Sequence, residues 1–103
     1  MGKQEKCYME IGLGLPGSQQ SQMFGKPCFK VNGKAFICLY NNCMVFKLSS
    51  GDNKSALSLE GAVFFDPSGK GRPMKEWVQL PFEYSKKWTQ FATAAMKYVS
   101  TTS

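Results

Sequence analysis

Hydrophobic positions in this chain follow two periods. Tyr84, Trp88, Phe91, Ala92, Ala95, Met96 and Val99 recur at i, i+4, i+7, i+8, i+11, i+12 and i+15, the spacing of one face of an α-helix. Lys86, Lys87, Gln90, Thr93 and Lys97 fall off that stripe. The pattern predicts a helix over 83–99 whose aromatic-rich face covers the core. Between residues 28 and 48 the period is two. Three apolar-rich runs, Cys28–Val31, Ala35–Tyr40 and Cys43–Leu48, are separated by Asn32-Gly33 and Asn41-Asn42. A two-residue type I′ turn needs φ > 0 at both central positions, which Asn and Gly tolerate at least cost. The spacing predicts strands at 28–32, 34–40 and 43–48 in an antiparallel meander. Phe29 and Val31 share one face with Lys30 opposite. Met44, Phe46 and Leu48 share one face with Val45 and Lys47 opposite. The middle run is apolar on both faces, as a central strand is.

Weaker signals fill in the rest. Ser49 and Asp52 have the spacing of a capping box, followed by Ala56, Leu57 and Leu59, and Gly61 suits the residue after a helix; a short helix is expected at about 52–60. A strand at 62–66 leads into the turn Asp66-Pro67-Ser68-Gly69 and a basic, glycine-containing loop, Lys70–Lys75. A strand at 76–80 places Trp77 and Gln79 opposite Val78 and Leu80, and Pro81 ends it. Residues 1–22 are the least defined: Cys7, Ile11 and Leu15 suggest a helix at 4–13, which Gly12, Gly14 and Gly17 weaken, and Ser18–Gln22 reads as a polar connector. The order α-β(3)-α-β(2)-α predicts a two-layer α+β domain with five mostly antiparallel strands and helices on one face.

The 103 residues suit one domain spanning 1–103, whose folded surface scales to about 5,800 Å² with about 65% of the unfolded chain's surface buried. No apolar run approaches the ~20 residues of a membrane span. The N-terminus lacks an apolar signal core and is interrupted by Glu5 and Glu10, which predicts a cytoplasmic location. The net charge is +6, from thirteen basic and seven acidic residues. Arg72 is the one arginine among them, so the basic surface supplies a diffuse field and not the bidentate forks that read guanine or phosphate. That surface permits weak, salt-sensitive attraction to nucleic acid, against the plainer reading of a solvated lysine surface.

Histidine is absent, which excludes Ser-His and Cys-His nucleophile activation. The acidic residues are scattered, and Gly69-x-Gly71 lacks the G-K-[ST] end of a phosphate loop. The sequence therefore predicts neither an enzyme nor a cofactor. Cys7, Cys28, Cys38 and Cys43 form no C-x-x-C pair, so free structural thiols are expected in place of a metal site. Cys38, on the central strand, is expected to be the most protected, and Cys7, exposed in a weakly ordered N-terminus with Lys3 and Lys6 a secondary influence, the first to react.

The motifs Met23-Phe24-Gly25 and Phe29-x-Val31-Asn32-Gly33-Lys34-x-Phe36, with Met74-x-x-Trp77-Val78-x-Leu80-Pro81 and a final helix carrying Trp88 and Ala95, resemble TfoX N-terminal domains. Leu15-Pro16-Gly17 and Gly25-x-Pro27-x-Phe29 resemble the related YjbR/MmcQ proteins. The resemblance covers about residues 15–99 and implies the same α-β(3)-α-β(2)-α layout. TfoX proteins are associated with regulating competence genes and carry a second, C-terminal domain beyond the matched stretch, so that role is not carried over. With the lack of catalytic constellations, the resemblance implies a non-enzymatic interaction module that binds a protein partner; weak lysine-mediated nucleic-acid binding is the alternative. The candidate binding surface is Phe24, Lys26, Lys30, Lys34, Lys70, Arg72, Lys75 and Trp77. Against it stand structural readings: Phe24 as a hydrophobic plug at a Gly25 bend, and Trp77 in core or edge packing instead of on an exposed outer face.

Overall fold

The structure, a computed structural model, describes residues 2–23, 25–66 and 74–101. Three helices and six strands follow in the order α1 (Lys3–Gly14), β1 (Gln19–Met23), β2 (Lys26–Val31), β3 (Lys34–Tyr40), β4 (Cys43–Lys47), α2 (Ser50–Leu57), β5 (Val63–Phe65), β6 (Met74–Leu80) and α3 (Ser85–Thr101), with a 3₁₀ turn, Phe82–Tyr84, leading into α3. The strands form one antiparallel sheet in the order β1-β2-β3-β4-β6-β5. The α+β class and the meander agree with the pattern in the sequence, but the expected five strands are one short. Ser18–Gln22, read as a connector, supplies the edge strand β1, which pairs with β2 from Gln19↔Lys30 to Met23↔Lys26. Its residues, QQSQM, carry no apolar alternation because the ladder to β2 sets the pairing.

Asn32 and Gly33 have φ of 53° and 78°, and Asn41 and Asn42 have φ of 49° and 61°, the left-handed pairs that both hairpins need. A two-residue turn makes its flanking pair, Tyr40↔Cys43, hydrogen-bonded, and pairs alternate from there. Cys38↔Val45 is therefore hydrogen-bonded, and Phe46↔Val78 is hydrogen-bonded on the other side of β4. The Leu48 N–H donating to the Glu76 carbonyl at 2.9 Å has the same phase. Strand β3 departs from simple alternation. Phe29 pairs with Ile37 but Lys30 with Ala35, so Phe36 is a bulge residue and both Phe36 and Ile37 join the helix-side core.

That core is the main one. Trp88, Phe91, Ala92, Ala95 and Val99 of α3 are buried, with Tyr8, Phe29, Phe46, Leu48 and Leu80 in the same cluster. The expected helical stripe is thus the core lid, although Tyr84 falls in the 3₁₀ turn, where its hydroxyl donates to the Glu60 carbonyl at 2.6 Å. Helix α1 is longer than expected and its glycine has a use: Gly12 is buried against the Phe29 ring. At α2, Ser49 Oγ donates to the Asp52 carboxylate at 3.3 Å, so the capping-box pair meets side chain to side chain and not through the backbone.

The opposite sheet face holds a second cluster whose described members all stand on strands: Cys28, Cys38, Val45, Phe65 and Trp77, with Ala35 and Tyr40 at its margin. The Phe65 ring lies 5.2 Å from Tyr40 and 6.3 Å from Trp77. In a flat sheet β3 and β5 stand three strand spacings apart, roughly 14 Å, so the sheet curls toward this face. No described helix is long and apolar enough to cross a membrane.

Candidate functional site

The structure divides the predicted surface. Phe24, Lys70 and Arg72 lie outside the described residues, as does most of the Lys70–Lys75 loop; Lys75 stands on β6. Lys26 and Lys30 alternate with Cys28 on β2 and share the outer sheet face. Lys34 does not join them: it pairs with Val31, whose side chain belongs to the helix-side core, and a directly paired residue shares its partner's face. Trp77 is on the outer face, as its alternation with Val78 implies, but it is 5% exposed and packed against Phe65. The ring offers no platform for a base, and of the two readings of Trp77, core packing is the one observed. The exposed aromatic contact on this face belongs to Lys26, whose Nζ stands 5.4 Å above the Tyr40 ring.

A different region has the shape of a binding site. A groove of about 380 Å³ opens between α2, the β5–β6 edge and α3, within the size range of ligand pockets. Ser50, Asn53, Lys54 and Leu57 line one wall. Their i, i+3, i+4, i+7 spacing is one helical face, while Ala56 turns into the core. Leu48 and Phe64 supply apolar floor and Tyr98 the wall from α3. Phe64 is 36% exposed and its neighbour Val63 50%. Because Phe46↔Val78 is hydrogen-bonded, Phe64↔Val78 is not, and the Phe64 N–H and C=O point away from β6 toward the edge of the sheet.

The polar groups of the groove are unequal. Glu76 is engaged: Lys47 Nζ lies 3.7 Å from Oε2, and the Tyr98 hydroxyl donates to Oε1 at 3.4 Å. Partial burial and this carboxylate push the Tyr98 phenol above its ordinary pKa. Lys54 has no ion-pair partner among the described residues and stands in the last turn of α2, while the Glu76 charge is met by Lys47. The residual field of the groove is therefore positive. The sequence offered two signs of this place: Tyr98 is an aromatic residue off the α3 stripe, and Val63-Phe64-Phe65 is an unbroken apolar run too short to be a central strand.

The thiol assignments are mixed. Cys28 and Cys38 are buried, Cys7 and Cys43 half-buried, and all four are free. Burial pushes Cys38 up to about 12. Cys7 sits within α1 and not in a loose tail, and burial together with Glu10 pushes its thiol up, so Lys3 and Lys6 do not activate it. Among the described residues no group of three or more Cys, Asp or Glu is placed to hold a metal ion.

Comparison with known protein families, with curated proteins and with solved structures gave no match. The likeness to TfoX N-terminal domains and YjbR/MmcQ proteins thus rests on the short motifs and on an element order that here includes the additional strand β1.

Proposed function

We propose that this domain is a non-enzymatic protein-interaction module of the TfoX N-terminal type, which receives an extended, acidic segment of a protein partner in the groove beside β5. The observation that carries this reading is the coincidence of an apolar floor with an outward-facing strand. Phe64 contributes its ring to the floor and its backbone N–H and C=O to the edge. An extended peptide satisfies both at once, as in strand-addition recognition. The acidic character follows from Lys54 on the groove wall and from the net charge of +6.

The test uses a synthetic peptide with aspartates flanking one leucine, followed by chemical-shift perturbation. The expected result is perturbation centred on Lys54, Leu57, Phe64 and Tyr98, with affinity falling about tenfold in Phe64→Ala and falling further as salt is added. Binding unaffected by Phe64→Ala overturns the reading.

The pairing of Lys26 with Tyr40 on the same face as Lys30 favours one alternative, weak nucleic-acid binding through the outer sheet face. A single-stranded oligonucleotide added at low salt decides it: perturbation at Lys26, Lys30 and Tyr40, lost steeply with salt, replaces the peptide reading with this one.

A further inference from the structure

We propose that Cys28 and Cys38 are an oxidation-sensitive dithiol that closes to an intramolecular disulfide between β2 and β3, with hydrogen peroxide as the oxidant. The inference is independent of the groove and rests on strand geometry. Cys28 and Cys38 are direct register partners. Since Cys38↔Val45 is a hydrogen-bonded pair, Cys38 spends its N–H and C=O on β4, and the pair Cys28↔Cys38 is non-hydrogen-bonded. In such a pair the Cα atoms stand about 4.5 Å apart with the side chains close together. That lies within the 4.4–6.8 Å range that a disulfide spans without backbone movement. The Phe36 bulge sets this phase: it lies between the Asn32-Gly33 turn and the cysteines and shifts the register of β2 on β3.

The surroundings distinguish the two thiols. Burial raises both, but Lys30 and a hydrogen bond with Ser21 of the edge strand oppose this at Cys28, whereas at Cys38 no opposing cause acts. Cys28 is therefore the sulfur that attacks the peroxide and Cys38 the resolving one. At 1% and 0% exposure the pair is closed to bulky reagents. The described members of its cluster all stand on strands, and hydrogen peroxide, far smaller than an alkylating reagent, is the oxidant proposed to reach it. Cys28 Sγ attacks one peroxide oxygen, the O–O bond breaks, and the hydroxide released takes a proton to leave as water, giving the sulfenic acid. Cys38 Sγ then attacks Cys28 Sγ, the S–O bond breaks, and the second oxygen leaves as water with the Cys38 proton. Two thiols are oxidised, one peroxide is reduced and two waters form.

The experiment is peroxide titration of the native, fully reduced protein, followed by denaturation, alkylation of remaining thiols and peptide mass mapping. The expected product is one Cys28–Cys38 linkage with loss of two hydrogens, no linkage at Cys7 or Cys43, and recovery of both thiols on adding dithiothreitol. In Cys38→Ser, Cys28 is expected to accumulate as a sulfenic acid that dimedone traps. Linkages through Cys7 or Cys43, sulfinic acid at Cys28 in the intact chain without a disulfide, or an unmodified pair at peroxide levels that oxidise Cys7, each overturn the proposal. The wild-type map decides the question even where the variant does not fold.

Discussion

Gly12 shows how a single position ties a helix to the sheet. A β-carbon there would fall among atoms of the Phe29 ring, closer than real Cβ atoms approach, and Phe29 is itself 1% exposed. Helix propensity alone favours alanine over glycine by about 1 kcal/mol, but overpacking a closed core costs roughly 1–3 kcal/mol, and here the ring has nowhere to go. Gly12→Ala is expected to destabilise the protein in urea denaturation, whereas Gly14→Ala, which meets nothing within 4 Å, is expected to be neutral or slightly stabilising; equal effects would contradict the close approach of α1. Tyr8 beside it is buried with its hydroxyl unpartnered among the described residues. Removing an unsatisfied hydroxyl relieves a desolvation cost on the order of 1–3 kcal/mol, so Tyr8→Phe should hold or raise stability, and a clear loss would reveal a partner for that oxygen. The sequence made the Asn32-Gly33 and Asn41-Asn42 turns legible because φ > 0 is a local demand. It marked Gly12 only as a weakness in a helix, because the reason for it, Phe29, lies on another element.

Among the elements, α3 was the easiest to read and β1 the hardest, for one physical reason. Helix α3 buries a face and therefore writes a period into its residues; Trp88, in its first turn, is 0% exposed, with the Phe82 ring 5.5 Å away. Trp88→Ala should cost about 3–5 kcal/mol, the range for emptying a large buried aromatic site, and a loss below about 1 kcal/mol in chemical denaturation would mean that α3 is not the lid of the core. Strand β1 is held by backbone bonds to β2, and none of Gln19–Gln22 belongs to either core cluster, so nothing in QQSQM announces a strand. Strand β5 escapes simple reading differently. It is three residues long and its register breaks between Phe64 and Phe65, and strand alternation sends one phenylalanine to the groove and the other to the outer cluster. A short, bulged edge is also a common defence against uncontrolled sheet pairing, so under the proposed peptide binding the groove, more than a long ladder, would supply the affinity.

At the scale of the whole molecule, the curled sheet separates two apolar clusters, and this is where the sequence reading of the site was least complete. Lysines and Trp77 looked like a surface because each is conspicuous alone; only the curl that brings Phe65 over the outer face shows Trp77 to be interior, and only the packing of α2 beside β5 creates the groove. The outer cluster also gives the molecule a pH dependence with a definite sign. Cys38 is pushed up to about 12 by burial, with the neighbouring Cys28 adding to the rise, while an unfolded cysteine ionises near pH 8.5. Below about pH 8.5 the thiol is protonated in both states and stability is unaffected. Above it the unfolded chain loses the proton and the folded one keeps it, so stability falls as pH rises, by up to about 1.4 kcal/mol per pH unit for each such thiol, until the folded pKa is reached. Cys28 is raised as well and adds to the slope. Tyr8, raised by its burial, adds only above the ordinary tyrosine range near 10, so the interval between about pH 8.5 and 10 isolates the thiols. Urea unfolding of the reduced protein across that interval should show the decline, and Cys38→Ala should show a shallower one. The comparison is between slopes, so the cavity left by the substitution does not enter it. Identical slopes would mean that Cys38 ionises as readily in the folded chain as in the unfolded one, and that the outer face is not closed over it.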